Sequence, residues 1–330
     1  MNIIYYNFDY EYFTNILSLK MEVRDGGLSL YESLFSRLYG IGAIDRTKKL
    51  PKSINTVSKF PIPSVITDLP SYSEIVEENA QKIKSSFVDD LPAIMYYDGS
   101  IDATVALLAM VDVDVKPVLN VSESVYNTQK DLISSLGLET VINEKREYGE
   151  DIKHYNIINY ALGKVINDCD YAYSVSNEDS YLNLGVDEFK TYLESLLVSD
   201  TLINTLDEQF NAIISISPVD LNTVYSVIKW TSFNFAYQGL TFDKWYDNKT
   251  VWRANQTVHN FYNTDKFQRY SLNNINKEIS VDNFKIDALD YIKSKTDKFA
   301  GKGLVYIDDT KTALRFISDE YKPFRDIGFD

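Results

Sequence analysis

Cysteine, histidine and positive charge are all scarce in this chain. Of 330 residues, one is cysteine (Cys169) and two are histidine (His154 and His259). A single cysteine excludes an internal disulfide and a cysteine-rich zinc site. It also suits a reducing compartment, so we expect a cytoplasmic protein without zinc. Asp and Glu outnumber Lys and Arg by 48 to 33, giving a net charge of −15. Because such a protein repels a polyanion, we do not expect broad nucleic-acid binding.

Long apolar runs and a basic amino-terminal segment are also absent. No stretch approaches the roughly 18 apolar residues of a membrane-spanning helix, and residues 1–10 contain no Lys or Arg. We therefore expect neither membrane insertion nor a secretory signal. Aromatic residues are abundant by contrast, with 25 tyrosines and 17 phenylalanines, and we interpret most of them as half-buried residues of the core and of interfaces.

Changes in composition divide the chain into three parts. Residues 1–70 combine helical spacing with a proline-containing connector and are expected to form a helical or mixed extension. In residues 71–235, strand-like and helix-like segments alternate, which predicts an α/β fold with a mainly parallel sheet and helices on both faces. Residues 236–330 interleave aromatic with polar side chains and are expected to form a substrate-recognition or interaction region.

Hydrophobic periodicity predicts the individual elements. The expected strands are 93–97, 115–121, 137–143, 170–175, 211–216 and 303–307. The expected helices are 73–84, 104–110, 126–136, 155–166, 186–197, 221–235 and 287–295. Ligands of parallel sheets bind at the carboxyl ends of the strands, and four of the predicted ends are polar, at residues 98–100, 122–124, 176–179 and 217–220.

The most informative segment is residues 91–110, which reads as a buried strand, a tight polar turn and an apolar helix. Such a turn directs backbone N–H groups and the positive end of the helix at one point, which favours a phosphate or another anion. Gly99 would allow the backbone to approach a phosphate closely, and Ser100 adds a hydroxyl donor. The sequence therefore predicts anion binding at this turn.

Residues 98–103, Asp-Gly-Ser-Ile-Asp-Ala, resemble the Ser-Gly-Gly-x-Asp-Ser motif of the PP-loop ATP pyrophosphatases. The apolar strand before the motif and the helix after it match as well. Residues 73–92 are similar to the synthase domain of asparagine synthetases, and residues 217–228 to 7-cyano-7-deazaguanine synthases. The resemblance covers roughly residues 73–235 and implies the PP-loop type of α/β fold.

The chain keeps part of this motif and departs from the rest. Gly99 and Asp102 agree with the family, whereas Asp98 replaces the first Ser, Ser100 the second Gly, and Ala103 the last Ser. The carboxylate of Asp98 would repel a phosphate. Three explanations stay open: a divalent cation bridges the two groups, the side chain turns away to cap the helix, or the ATP chemistry has been lost.

The resemblance implies ATP and magnesium as cofactors and adenylation as the reaction. An oxygen of the acceptor, a small molecule or a nucleotide, attacks the α-phosphate, pyrophosphate leaves, and ammonia or an amine displaces AMP. The implied catalytic residues are Asp102 and Lys229, with Arg253 and Lys266 as further candidates for a cation near the phosphates. The implied nucleotide site comprises Asp98, Gly99, Ser100, Asp102, Ala103, Thr104, Ser122 and Asn177. The implied magnesium site comprises Asp102, Glu178 and Asp179.

Several of these residues have ordinary structural explanations too. Ser122 is a typical helix N-cap, and residues 177–179 are typical of a turn followed by the first turn of a helix. His259 lies in an aromatic-rich segment, residues 257–268, which is either a packed surface loop or a substrate-recognition loop.

A non-catalytic binding or structural protein on the same scaffold is the alternative function. It would form a complex with another macromolecule or with itself, as a homo-oligomer. Three of the six loop positions depart from the motif, and aromatic-rich segments flank the predicted sheet. A glutamine-hydrolysing domain with an amino-terminal cysteine is not expected, since residue 2 is Asn.

Overall fold

A computed structural model describes residues 46–47, 49, 60–64, 68–142, 155–168, 183–188, 191, 211, 213–240, 258–280 and 283–300. Within these residues, five parallel strands form one sheet with the order β3-β2-β1-β4-β5. The strands are β1 (Ala93–Tyr96), β2 (Val118–Val121), β3 (Thr140–Ile142), β4 (Asn156–Asn159) and β5 (Val258–Asn260). This architecture confirms the predicted α/β class with a parallel sheet.

Helices connect and cover the strands. They are α1 (Tyr72–Ser85), α2 (Ile101–Asp112), α3 (Glu123–Thr128), α4 (Lys130–Leu136), α5 (Gly163–Ile166), α6 (Val224–Thr231), α7 (Tyr237–Leu240), α8 (Asp265–Asn273) and α9 (Ile286–Lys295). A π-helical segment, Ser232–Ala236, joins α6 to α7. None of the described helices is long and apolar enough to cross a membrane.

Helix α1 begins where its sequence dictates. Ser71 and Glu74 form a capping box, in which each side chain accepts a hydrogen bond from the other residue's backbone N–H. This arrangement satisfies donors that have no partner within the helix. Ile75, Val76 and Ala80 form a buried stripe at helical spacing, and this stripe packs α1 against α2.

The main core lies on one face of the sheet. Met95 of β1, Leu119 of β2 and Ile158 of β4 are in register and point to this face. They share a continuous cluster with α2, which is buried on all sides from Ile101 to Met110. A helix in this position needs an apolar surface all round, which explains why the segment carries so few polar residues.

The opposite face of the sheet carries a second, smaller cluster. Tyr96 of β1 and Ile157 of β4 are buried there, packed by Ile94, Tyr155 and Val258. Strand β5 is at the edge next to β4. Residues 258–260 lie beyond the boundary expected near residue 235, so the last part of the chain supplies a strand of the central sheet.

Two predicted elements are wrong. Residues 155–166 were expected to be one helix, but they form strand β4 and the short helix α5. Residues 213–215, expected in a strand, are helical. Both segments contain adjacent isoleucines, and a short apolar run without periodicity does not distinguish a buried strand from a buried helix.

Other predicted elements are correct with shifted bounds. The helix expected over 126–136 is divided at Gln129 into α3 and α4. The helix expected over 221–235 begins at Val224 and continues through the π-helical segment. The strands expected at 170–175 and 303–307, and most of the helix expected at 186–197, lie outside the described residues.

Candidate functional site

The turn between β1 and α2 folds as the sequence suggests, but its donors have an internal partner. Gly99 has a φ of +75°, and Ser100 caps α2 by accepting a hydrogen bond from the Ala103 amide. One carboxylate oxygen of Asp98 accepts from the Ser100 amide at 3.1 Å and from the Ser100 hydroxyl at 2.6 Å. The side chain of Asp98 thus binds two of the groups that would donate to a phosphate.

Close packing also surrounds Gly99. A Cβ atom placed on Gly99 would lie 3.3 Å from Cγ1 of Val125 and 3.5 Å from Cγ of Gln129. Gln129 is buried, and its side-chain oxygen accepts a hydrogen bond from the Ala300 amide at 3.4 Å. The junction of α3 and α4 therefore lies against this glycine, and its positive φ and its contacts both explain why glycine is needed.

Asp102, the residue expected to hold magnesium and take part in catalysis, is buried in the first turn of α2. Its Oδ2 accepts a hydrogen bond from the ammonium of Lys285 at 2.6 Å, and its Oδ1 accepts from the side-chain amide of Asn167 at 2.6 Å. Both carboxylate oxygens are therefore engaged with groups of the protein itself.

Gly163 allows this arrangement to form. A Cβ atom on Gly163 would lie 2.5 Å from Cβ of Asp102 and 2.9 Å from a ring carbon of Tyr262. The backbone of α5 can approach α2 this closely only without a side chain. This contact fixes the side chain of Asp102 at the interface of the two helices.

Lys229, the other expected catalytic residue, is also buried. Its Nζ lies 3.4 Å from Oδ1 of Asp168 and 3.3 Å from the backbone oxygen of Asn167. The Tyr225 hydroxyl donates to the same carboxylate oxygen at 2.8 Å, and the backbone N–H of Lys285 donates to the other at 2.7 Å.

The pKa of Asp168 reflects these contacts. Burial alone would raise this pKa. The charges of Lys229 and Lys277, with hydrogen bonds from the Lys285 backbone and the Tyr225 hydroxyl, outweigh burial, so the pKa lies below its ordinary value. Asp168 is therefore an anion at neutral pH and balances the buried lysine.

These five residues form what we call the buried ion-pair network: Asp102, Lys285, Asn167, Asp168 and Lys229. It contains two carboxylates and two ammonium groups, each within 3.4 Å of an opposite charge. Asn167 bridges the two pairs, since its side chain donates to Asp102 and its backbone oxygen accepts from Lys229. The charges of these five residues cancel, and the partly buried Lys277 adds a third ammonium group 3.7 Å from Asp168.

The other predicted site residues within the described chain have structural roles. Ala103 is buried in the core, and the Thr104 hydroxyl donates to the backbone oxygen of Ser100 at 2.8 Å. Ser122 is exposed and caps α3 by accepting from the Val125 amide at 3.3 Å. Lys266 pairs with Glu78 at the surface.

Four of the predicted residues lie outside the described residues: Asn177, Glu178, Asp179 and Arg253. Among the residues that are described, the structure brings together no group of three or more His, Cys, Asp or Glu that could hold a metal ion. The implied combination of Asp102, Glu178 and Asp179 stays a prediction.

Sequence reasoning missed Asn167, Asp168 and Lys285. Asn167 and Asp168 follow a segment that was expected to be helical, and Lys285 has a left-handed backbone (φ +51°) just before α9. Lys285 is 183 residues from Asp102 along the chain. No local pattern indicates a pair at that separation.

The carboxyl ends of β4 and β5 contribute amide side chains to the same end of the sheet as Asp98, which follows the carboxyl end of β1. The Asn159 side chain donates to the side-chain oxygen of Asn260 at 2.6 Å and accepts from the Ala161 amide at 3.2 Å. Among the described residues, this end of the sheet thus combines neutral amides with the carboxylate of Asp98 and, after β2, the exposed carboxylate of Glu123.

Comparison with known proteins assigns no family. No model of a known protein family matches the chain, and no curated protein matches it either.

Proposed function

We propose that the PP-loop-like region of this chain, around the turn between β1 and α2, binds a ligand without catalysing adenylation, and that the buried ion-pair network has replaced the chemistry of an ATP site there. The observation that carries the proposal is the pairing of Asp102 with Lys285 at 2.6 Å between two buried side chains. The implied cofactors do not fit the described residues, for three separate reasons.

The first reason concerns magnesium. For the carboxylate of Asp102 to bind a metal ion, it would have to leave Lys285 and Asn167. Breaking a buried ion pair leaves an uncompensated charge and typically costs about 3–5 kcal/mol. The binding of magnesium would have to supply that free energy.

The second reason concerns the phosphates. A phosphate at the turn would compete with the carboxylate of Asp98 for the amide and hydroxyl of Ser100. It would also be repelled, since two unit charges about 4 Å apart interact by about 1 kcal/mol even in water. Of the three explanations for Asp98, loss of the ATP chemistry agrees best with this geometry.

The third reason concerns the cation near the phosphates. Lys229 could reach a phosphate only by leaving Asp168, and the buried carboxylate would then keep only the more distant ammonium of Lys277, at 3.7 Å. The groups at this end of the sheet, the Asp98 carboxylate and the Asn159–Asn260 amide pair, suit a neutral or positively charged polar ligand better than a triphosphate.

Calorimetry with ATP and magnesium tests the proposal. We expect no heat of binding up to millimolar ATP and no release of pyrophosphate in the presence of ammonia and a carboxylic-acid acceptor. Micromolar binding accompanied by pyrophosphate release would contradict the proposal. Light scattering on the same samples measures whether the chain forms a homo-oligomer.

A variant of the turn sharpens this test. Asp98→Ser restores the residue of the family motif and removes the internal carboxylate, so we expect weak ATP binding to become measurable. Asp131→Asn, which removes an exposed carboxylate from α4, is the matched control and should not bind ATP. Equal ATP binding by the two variants would show that the carboxylate of Asp98 is not what prevents ATP from binding at the turn.

The adenylating synthetase stays the second candidate function. It is favoured by the left-handed Gly99 between β1 and α2 and by the serine N-caps that follow β1 and β2, Ser100 and Ser122. Its predicted acceptor is a small molecule or a nucleotide. Detection of pyrophosphate release, lost on Asp102→Ala, would establish it.

A further inference from the structure

A cluster of Ser86, His259 and Asn156 lies at the end of the sheet where the strands begin, away from the Asp98 turn. Asn156 is the first residue of β4, paired with Ala93 at the start of β1. His259 is on β5, beside Ile158 of β4, so its side chain points to the same sheet face as that of Asn156. Ser86 follows the last residue of α1 as its C-cap. None of these three residues takes part in the buried ion-pair network.

The hydrogen bonds of Asn156 fix the orientation of its amide. The side-chain oxygen accepts from the Val88 amide at 2.9 Å, while the side-chain nitrogen donates to the backbone oxygens of Val88 at 3.0 Å and Leu91 at 2.8 Å. The oxygen must therefore be the atom that faces His259 Nε2 at 3.2 Å.

The orientation of this amide assigns the proton on the histidine ring. Because the Asn156 oxygen can only accept, Nε2 of His259 must carry the proton and donate it. In the neutral ring Nδ1 then has a lone pair, and this atom lies 3.0 Å from the hydroxyl oxygen of Ser86. The order is an asparagine that orients a histidine, whose Nδ1 lone pair faces a serine hydroxyl.

His259 stays neutral at ordinary pH. Burial lowers the pKa of this histidine to about 4, so its lone pair is available at pH 7. The ring also packs against Phe87, with 4.8 Å between the ring centroids, which holds it in place beside the serine.

Ser86, in contrast, is exposed. Its hydroxyl has two acceptors within reach, the backbone oxygen of Ile83 at 2.8 Å and Nδ1 of His259 at 3.0 Å. A nucleophile must meet its substrate at a surface while its base is held by a third group. The cluster has these properties.

We propose that Ser86, His259 and Asn156 form an acyl-transfer site that takes small activated esters. Ser86 is its nucleophile, His259 its general base and Asn156 a positioning residue. This proposal is independent of the proposed function, since no residue of the cluster contacts the Asp98 turn or the ion-pair network in the described structure.

The reaction proceeds in two balanced steps. The Ser86 oxygen attacks the ester carbonyl carbon, its proton passes to Nδ1 of His259, and the ester C–O bond breaks as the leaving alcohol takes that proton. Water then attacks the acyl-serine and gives a proton to Nδ1. The carboxylic acid leaves, and the proton returns to the oxygen of Ser86.

Labelling with p-nitrophenyl acetate and with a fluorophosphonate probe tests the proposal. The modified serine is located by mass spectrometry of the peptide that contains Ser85 and Ser86. Ser85 is the matched control, because it is exposed at the same helix end and its hydroxyl donates to the backbone oxygen of Gln81 at 2.8 Å. General base catalysis contributes about 10²–10⁴-fold and weakens as the pKa of the base falls below the working pH, so we expect Ser86 to be labelled about 100 times faster than Ser85, at the low end of that range.

Variants provide the remaining contrasts. Ser86→Ala should abolish the rapid release of p-nitrophenol, whereas Ser85→Ala should leave it unchanged. His259→Gln should slow the labelling of Ser86 by about 100-fold with an unchanged circular dichroism spectrum. If His259→Gln does not fold, the ratio of the labelling rates of Ser86 and Ser85 in the parent chain decides between the two outcomes. Equal labelling of Ser85 and Ser86 would overturn the proposal and leave Ser86 as a helix cap.

Discussion

Polar side chains have opposite roles at the carboxyl and amino ends of the parallel strands. At the carboxyl end, Asp102 and Lys229 are chemically suited to an ATP site, but Lys285 and Asp168 neutralise them inside the core. At the amino end, Ser86 and His259 are neutral, and no charged residue is hydrogen-bonded to either in the described structure. Charged residues typical of catalysis, Asp102 and Lys229, thus stabilise the core at one end of the sheet. At the other end, Ser86, which belongs to no sequence motif, is positioned for chemistry.

The largest expected effect breaks the ion-pair network. Lys285→Met leaves the carboxylate of Asp102 buried without its cation. We expect the free energy of unfolding to fall by about 3–5 kcal/mol, measured by urea denaturation followed by circular dichroism. Lys266→Met, which removes a surface ion pair with Glu78, is the control and should cost less than about 1 kcal/mol. A loss for Lys285→Met no larger than that of the control would show that Asp102 is not committed to this pair. Adding Asp102→Asn to Lys285→Met should recover part of the loss.

Gly163→Ala tests the contact between α5 and α2. Its Cβ would lie 2.5 Å from that of Asp102, so the helices must separate, and overpacking of this kind costs about 1–3 kcal/mol. Gly137→Ala is the comparison, because Gly137 has φ +60° and a Cβ added there would meet no atom within 4 Å. That variant loses only about 1 kcal/mol, from its left-handed backbone. Thermal unfolding should rank Gly163→Ala as the less stable variant, and the reverse order would refute the close approach.

The pH dependence of stability probes the amino end. The folded pKa of His259, about 4, lies below its ordinary value of 6.5, so the unfolded chain binds more protons between these values. The neutral form of His259 therefore stabilises the folded chain fully above pH 6.5. This contribution to the free energy of unfolding is lost as the pH falls towards 4. Because His259 lies beside the exposed Ser86, solvent screens part of this effect. We expect the free energy of unfolding to fall by about 2 kcal/mol between pH 6.5 and pH 4.

The carboxylate of Asp168 acts in a different pH window. Its folded pKa is lowered from 3.8, so its contribution is present above that value and is lost as the pH falls below it. Urea denaturation at pH 7 and pH 4.5, for the parent and for His259→Gln, therefore isolates the histidine. An equal loss of stability in both proteins would contradict the assignment.

The smallest expected effect concerns the two exposed serine caps. Ser122→Ala removes the N-cap of α3 and should cost about 1 kcal/mol. Ser86→Ala removes only a hydroxyl at the exposed end of α1 and should cost about 0.5 kcal/mol. Denaturant midpoints measure both. A larger cost for Ser86 than for Ser122 would make Ser86 a structural residue.

The sequence could predict what depends on neighbouring residues. The turn from β1 into α2 was predicted because Asp98, Gly99 and Ser100 have local preferences that agree with the fold. Strand β4 was not, because Ile157 and Ile158 lie between two other strands, and burial on both faces removes the alternation of polar and apolar residues.

Contacts between distant parts of the chain could not be predicted. Lys285 and Asp102 are 183 residues apart, and His259 and Ser86 are 173 residues apart. No periodicity or motif reports such a contact. The motif at residues 98–103 predicted the turn, and the partner of Asp102 became visible only in the folded chain.

The late position of β5 in the chain has a consequence for synthesis. Strand β5 follows β4 by about a hundred residues and Lys285 comes later still. A nascent chain therefore has β4 without its outer neighbour, and Asp102 without its cation, until these segments have left the ribosome. Translation of residues 258–300 then closes the edge and neutralises the carboxylate together. We therefore expect a chain that ends before β5 to expose a row of unpaired backbone groups along β4, a template for pairing with another chain.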